Sequence, residues 1–139
     1  MKRAEALLQL SREHHTALSI AQRVKRTLGT GTAAEVAALA EACAQRFVAE
    51  LEPHFLDEER WLLPALENAG EHALVARTLD EHRRLRSLAA ALAAGDLEPL
   101  ADFAGMLSAH VRFEERELFE RAQQVIPADE LGRLAARDC

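Results

Sequence analysis

Residues that favour β-strands are scarce in this chain of 139 residues, which has no tyrosine, one tryptophan and five phenylalanines. Alanine and leucine are abundant instead, with 28 and 22 copies, and both favour helices. Glycine and proline, which interrupt helices, occur only six and four times. The composition therefore excludes an all-β domain and predicts an all-α protein. The length corresponds to one domain over residues 1–139.

Positive charge is also in short supply, because 17 basic residues face 23 acidic ones and the formal net charge is −6. We therefore expect no nucleic-acid partner. No run of about 18 uncharged apolar residues occurs, and the chain opens without an apolar leader, so we expect no membrane association and a cytoplasmic protein. The two cysteines, Cys43 and Cys139, lie far apart and belong to no recognisable motif.

Apolar residues recur every three or four positions in four long segments, which is the spacing of one helical face. The segments run over about 4–28, 32–66, 74–95 and 100–127. Thr32 and Glu35 have the form of a capping box at the start of the second segment, Pro53 is expected to kink that helix, and Asp96 is a candidate cap for the fourth. Short connections predict an up-down-up-down antiparallel four-helix bundle, followed by a short amphipathic C-terminal helix.

One nine-residue pattern occurs twice. Residues 54–62 and 110–118 share His-x-x-x-Glu-Glu-Arg-x-Leu, once on the second helix and once on the fourth. The first and third helices show a weaker similarity, because each contains a Glu-His pair, at 13–14 and 81–82. The bundle is therefore expected to consist of two helix pairs related by an approximate twofold axis.

The repeated histidine and first glutamate are expected to face the interior. His54 and Glu58 share a helical stripe with large apolar residues, and so do His110 and Glu114. An unpaired carboxylate in such a place costs several kcal/mol or more, and two at one level also repel each other. We infer that positive charge, most simply metal, lies between them.

Two further histidines join this set. His82 is in phase with the apolar residues of the third helix, and His14 with those of the first, although the adjacent His15 is kept as the alternative ligand. The second glutamates of the repeat, Glu59 and Glu115, are turned by about 100° and are expected to lie outside the site.

Other polar residues are assigned more peripheral places. Glu50 and Glu117 are possible accessory ligands, His72 is expected to be exposed, and Arg86 is expected to lie on a solvated face. Trp61 is expected to pack at the end of the bundle rather than to gate the site.

Six donors exceed the needs of one tetrahedral ion, so a dinuclear site bridged by Glu58 and Glu114 fits the count best. Histidine and carboxylate suit iron, while manganese and zinc remain possible. The Glu-x-x-His motif of ferritin-like diiron bundles does not occur in the sequence.

The order His, His-x-x-x-Glu, His, His-x-x-x-Glu over residues 7–119 resembles the hemerythrin-like, or HHE cation-binding, family. The resemblance implies a non-haem diiron centre held by six residues: His14, His54, Glu58, His82, His110 and Glu114. Oxygen-carrying hemerythrins have a second histidine four residues after the one on the third helix. This chain has Arg86 there, with Thr78 one turn on the other side.

The missing histidine would leave both irons with exchangeable positions. For the subgroup with this reduced pattern, the resemblance implies reactions with hydrogen peroxide or dioxygen, of a catalase or ferroxidase type, rather than oxygen transport. The alternatives are a protein that reversibly binds oxygen, nitric oxide or iron, and a sensor that signals to a partner protein. The expected partners are these small molecules, and a homodimer is possible.

Overall fold

The computed structural model describes residues 2–137, and these form five helices joined by short segments. Helix α1 spans Glu5–Thr30, α2 spans 33–68, α3 spans His72–Ala93, α4 spans 100–125 and α5 spans Ala128–Arg137. Helix α1 packs against α4 and α2, and α3 packs against the same two helices. The predicted four-helix bundle with a short C-terminal helix is confirmed. No helix among the described residues has both the length and the apolar character needed to span a membrane.

Helices α2 and α4 contain wider π-helical segments at Phe47–Leu51, Glu58–Leu62 and Glu114–Leu118. In each, an N–H bonds to the carbonyl five residues back, as Leu63 does to Glu58. Pro53, where the sequence predicts a kink, follows the first of these segments, and its ring nitrogen has no N–H to continue the hydrogen-bond ladder. Pro64 follows its π segment in the same way.

The helix boundaries follow local chemistry. Thr32 and Glu35 form the predicted capping box, with both reciprocal hydrogen bonds present. Gly70 and Gly95 adopt positive φ values of 89° and 94° at the ends of α2 and α3, a region that favours glycine. Asp96 does not cap α4, which begins at residue 100; its carboxylate instead accepts from the Glu98 N–H at 3.1 Å.

Two apolar clusters fill the bundle, one on each side of the level occupied by the histidines and glutamates. The first includes Phe47, Phe55 and Phe103 and extends to Cys43, whose thiol pKa is raised by burial. The second includes Trp61, which is 7% exposed and packs there as predicted. Cys139 lies outside the described residues.

Three leucines of α1 and α3, Leu18, Leu28 and Leu79, are about two-fifths exposed, at 39%, 43% and 39%. They lie at the margin of the apolar stripe of their helices, where the neighbouring helix does not cover them.

Candidate metal centre

The two repeated pairs lie in the middle of the bundle. His54 and Glu58 are one turn apart on α2, and His110 and Glu114 are one turn apart on α4. Both glutamates are fully buried, at 0% exposure. The inward orientation expected from the helical phase is therefore what the structure shows.

Helices α1 and α3 each add one imidazole. His14 of α1 reaches Glu114 of α4, and His82 of α3 reaches Glu58 of α2. The Nε2 atom of His14 lies 2.7 Å from Oε1 of Glu114, and Nε2 of His82 lies 3.0 Å from Oε1 of Glu58. All four histidine side chains are at most 5% exposed. Every inner Nε2 atom thus faces the same carboxylate pair.

These side chains form two groups of four donors that share both glutamates. One group adds His14 and His54, and the other adds His82 and His110; within each, one donor atom per residue lies within 4.8 Å of the others. Two adjoining groups with a common carboxylate pair are the arrangement of a site between facing bundle helices.

Among residues 2–137, four polar atoms at the centre have no hydrogen-bond partner: Nε2 of His54 and His110, and Oε2 of Glu58 and Glu114. His54 Nε2 lies 3.3 Å from Glu58 Oε2, and His110 Nε2 lies 3.2 Å from Glu114 Oε2, but neither pair forms a hydrogen bond. Buried polar atoms are almost always satisfied in folded proteins. The residues therefore fit cations at the two donor groups, which would give each of these atoms a partner.

A second layer of glutamates holds the outer nitrogen of each histidine. The Nδ1 atoms donate to carboxylate oxygens at 2.6 to 2.8 Å, in four pairs: His14 with Glu115, His54 with Glu13, His82 with Glu59, and His110 with Glu81. Glu59 and Glu115 lie outside both donor groups, as expected, but the sequence did not predict their contacts with the histidines. They do not line the centre, but each contacts one of its histidines.

The sequence did not predict that Glu13 and Glu81 contact these histidines, although the Glu-His pairs at 13–14 and 81–82 were a possible indication. A residue that immediately precedes an inward histidine points sideways on its own helix. From there each of these carboxylates reaches the histidine of the next helix.

The prediction that Arg86 lies on a solvated face is wrong. Its guanidinium, 29% exposed, bonds to both Glu52 and Glu59 at 2.6 to 3.3 Å. It therefore holds Glu59, the carboxylate that contacts His82, from the outer side of the bundle.

On the other side of His82, Thr78 is fully buried one turn away, and its hydroxyl donates to the Leu74 carbonyl at 2.7 Å.

Aromatic rings cover two of the imidazoles. Phe55 stacks on His82 with ring centroids 4.0 Å apart, and Phe119 stacks on His14 at 5.3 Å. These contacts restrict ring rotation, so the directions of the Nε2 atoms are fixed by packing as well as by hydrogen bonds.

The acidic surroundings change the pKa values of the buried groups in the metal-free protein. Burial lowers the pKa of each imidazole, but hydrogen bonds and attraction to the glutamates outweigh it, raising the pKa of His82 to about 9 and of His110 to about 10. The pKa values of His14 and His54 are raised for the same reason. Burial opposes ionisation of Glu114, yet His110 and its neighbours hold that pKa well below the ordinary value. A metal ion would therefore displace protons from the imidazoles.

Several candidates lie outside the centre. His15 is exposed, because it follows His14 and points about 100° away from the bundle axis. Glu50 pairs with Arg46, and Glu117 lies 3.4 Å from Arg77; both are about half exposed and reach no histidine of the site. His72 is exposed, as expected, and contacts Glu67.

Comparison with known proteins gives one match. The family model described as the hemerythrin HHE cation binding domain matches residues 6–122, which is most of the chain and includes all six inward residues. No curated protein matches the chain significantly, and no solved structure does. The family and the two donor groups together indicate a metal-binding protein. The chain belongs to the hemerythrin HHE cation-binding family.

Proposed function

We propose that the six inward residues bind two metal ions at adjoining positions. His14 and His54 would hold one ion, His82 and His110 the other, and Glu58 and Glu114 would bridge them. The observation that carries this assignment is the set of four buried, unpartnered nitrogen and oxygen atoms at the centre. A two-ion site supplies a partner for each of them and neutralises two carboxylates that would otherwise repel.

We propose iron as the resident metal. Imidazole and carboxylate donors suit iron, manganese and zinc, whereas the thiolates typical of structural zinc are missing from both donor groups. Each ion would receive two imidazoles and share two carboxylates, which leaves coordination positions for a small molecule. Manganese and zinc remain the alternatives that metal analysis separates.

We propose that the loaded protein reacts with hydrogen peroxide or dioxygen. A pair of irons would supply the electrons for such chemistry by changing oxidation state. The chain contributes a buried, rigid enclosure, because the donor level lies between two apolar clusters and each imidazole is held at its outer ring nitrogen.

The experiment that tests this reaction is oxygen release from hydrogen peroxide by the iron-loaded protein. Turnover above that of free iron at equal concentration supports the proposal, and its loss in Glu58→Gln shows that the centre is responsible. Release no faster than free iron contradicts it.

A second candidate is reversible binding of dioxygen or nitric oxide without turnover. The observation that favours it is that both shared carboxylates are fully buried and face only histidines within the described part of the chain, so no separate acid or base is present at the centre. A reversible absorption band on exposure to oxygen distinguishes it from immediate oxidation with gas release from peroxide.

A further inference from the structure

We propose that Glu13, Glu59, Glu81 and Glu115 are positioning residues for the metal centre. Each would fix one histidine with its hydrogen on Nδ1 and its Nε2 lone pair directed at the metal. This assignment rests on the proposed function of the six inward residues as ligands, and it adds a role for four residues outside that set.

The four contacts form a closed ring around the bundle. Helix α1 supplies Glu13 to His54 of α2, and α2 supplies Glu59 to His82 of α3. Helix α3 then supplies Glu81 to His110 of α4, and α4 returns Glu115 to His14 of α1. Each of helices α1 to α4 gives one carboxylate and receives one, so the ring links all four at the level of the site.

The chemistry of the contacts determines the direction of each hydrogen bond. Besides its histidine, Glu59 accepts from the Arg86 guanidinium and Glu115 accepts from that of Arg3, and permanent positive charge beside a carboxylate favours its ionised form. An ionised carboxylate can only accept, so the histidine Nδ1 must donate. The opposite ring nitrogen, Nε2, is then the one available to a metal, and in all four histidines it faces the inner glutamates.

The ring carboxylates are themselves held in place. Arg86 bonds to Glu59, Arg77 to Glu81, and Gln9 to Glu13. The fourth carboxylate, that of Glu115, accepts from Ser11 at 2.8 Å and from Arg3 at 3.1 Å. Each glutamate thus has a donor other than its histidine, which fixes its rotamer before any metal arrives.

These pairs differ from ordinary ion pairs on a protein surface. The outer glutamates are 19 to 33% exposed, but each histidine partner is nearly or fully buried. By contrast, the pair Arg46 and Glu50 is about half exposed on both sides and is worth little. Outer carboxylates of this kind orient metal-bound histidines and raise their basicity.

The test compares Glu59→Gln and Glu59→Ala with the matched exposed variants Glu50→Gln and Glu117→Gln. Affinity for Co²⁺, measured by competition with a chelator, is expected to fall about 10- to 100-fold in the Glu59 variants, with the larger loss in Glu59→Ala. The cobalt absorption band is expected to shift in the same variants. The two control variants should bind cobalt like the wild type.

A second readout does not depend on metal. In the metal-free protein, NMR is expected to show four slowly exchanging Nδ1–H protons, and Glu59→Gln should move only that of His82. Rapid exchange of these protons in the wild type, or unchanged cobalt affinity in Glu59→Ala, overturns the positioning role. A third outcome is a wild-type protein that binds no cobalt although the four protons are protected. In that case the proposed metal binding fails. The ring of glutamates is then a structural feature only, and its proposed role toward a metal is overturned as well.

Discussion

His82 donates its Nδ1–H to Glu59 across 2.6 Å while its other ring nitrogen lies 3.0 Å from the buried Glu58. Two consecutive glutamates of α2 therefore hold opposite edges of one imidazole that belongs to α3. The π-helical segment begins at Glu58 itself, and the equivalent segment of α4 begins at Glu114. The same arrangement recurs there, where Glu114 and Glu115 hold the two edges of His14.

The choice between two adjacent histidines gives the first prediction. Replacement of His14 by Ala is expected to reduce bound Co²⁺ from two ions per chain to about one, because His14 belongs to only one of the two donor groups. Replacement of the exposed His15 by Ala should change nothing. Isothermal titration of the metal-free variants measures both stoichiometries, and equal losses in the two variants would refute the assignment of His14.

The second prediction concerns pH and the stability of the metal-free protein. The folded-state pKa values of His82 and His110 are raised to about 9 and about 10. Their stabilising contribution is therefore complete below the ordinary value of about 6.5 and is lost as the pH rises through 9 to 10. We expect the free energy of unfolding to fall by a few kcal/mol between about pH 6 and pH 10.

Urea denaturation at a series of pH values checks this prediction. The zinc-loaded protein is the comparison, because metal rather than protons then neutralises the carboxylates and the decline should be weaker. At the acid end, the depressed pKa of Glu115, about 2, predicts a contribution that is present above about 4.5 and is lost as the pH falls toward 2. A metal-free protein that is equally stable at pH 6 and pH 10 would be inconsistent with the buried ion pairs.

The third prediction concerns Phe55, which is 1% exposed and stacks on His82. Phe55→Ala is expected to lower the free energy of unfolding by about 3–5 kcal/mol, since it opens a cavity between the site and the first apolar cluster. It should also weaken Co²⁺ binding by releasing the imidazole. Val48→Ala, at a position that is 71% exposed, is the control and should stay within about 0.5 kcal/mol of the wild type. If both variants lost the same free energy of unfolding, the stabilising role of Phe55 in the core would be refuted.

Much of the fold could be predicted because helical periodicity is a property of local sequence. The two His-x-x-x-Glu pairs could be placed in the interior by the same reasoning, since residues four apart share a helical face. The bias toward His14 over His15 also came from phase, and the structure places only His14 at the centre.

The outer glutamates could not be placed by phase alone. A uniform 100° step sends Glu59 and Glu115 away from the site, but the target histidines belong to neighbouring helices, and their positions depend on how the helices pack. The π segment at Glu114–Leu118 has no proline after it, so α4 carried no local signal of the wider turn. The partial exposure of Leu18 and Leu79 could not be predicted from phase either, because coverage by a neighbouring helix is a tertiary property.

The central claim is that two metal ions neutralise Glu58 and Glu114 inside the bundle, and metal content tests it most directly. Elemental analysis of protein purified from iron-replete cells is expected to give two iron ions per chain, corresponding to the two donor groups. Glu58→Gln and Glu114→Gln should each lose both ions, because the two groups share these carboxylates. Folded wild-type protein that contains no metal, and takes up none when iron is added, would contradict the account.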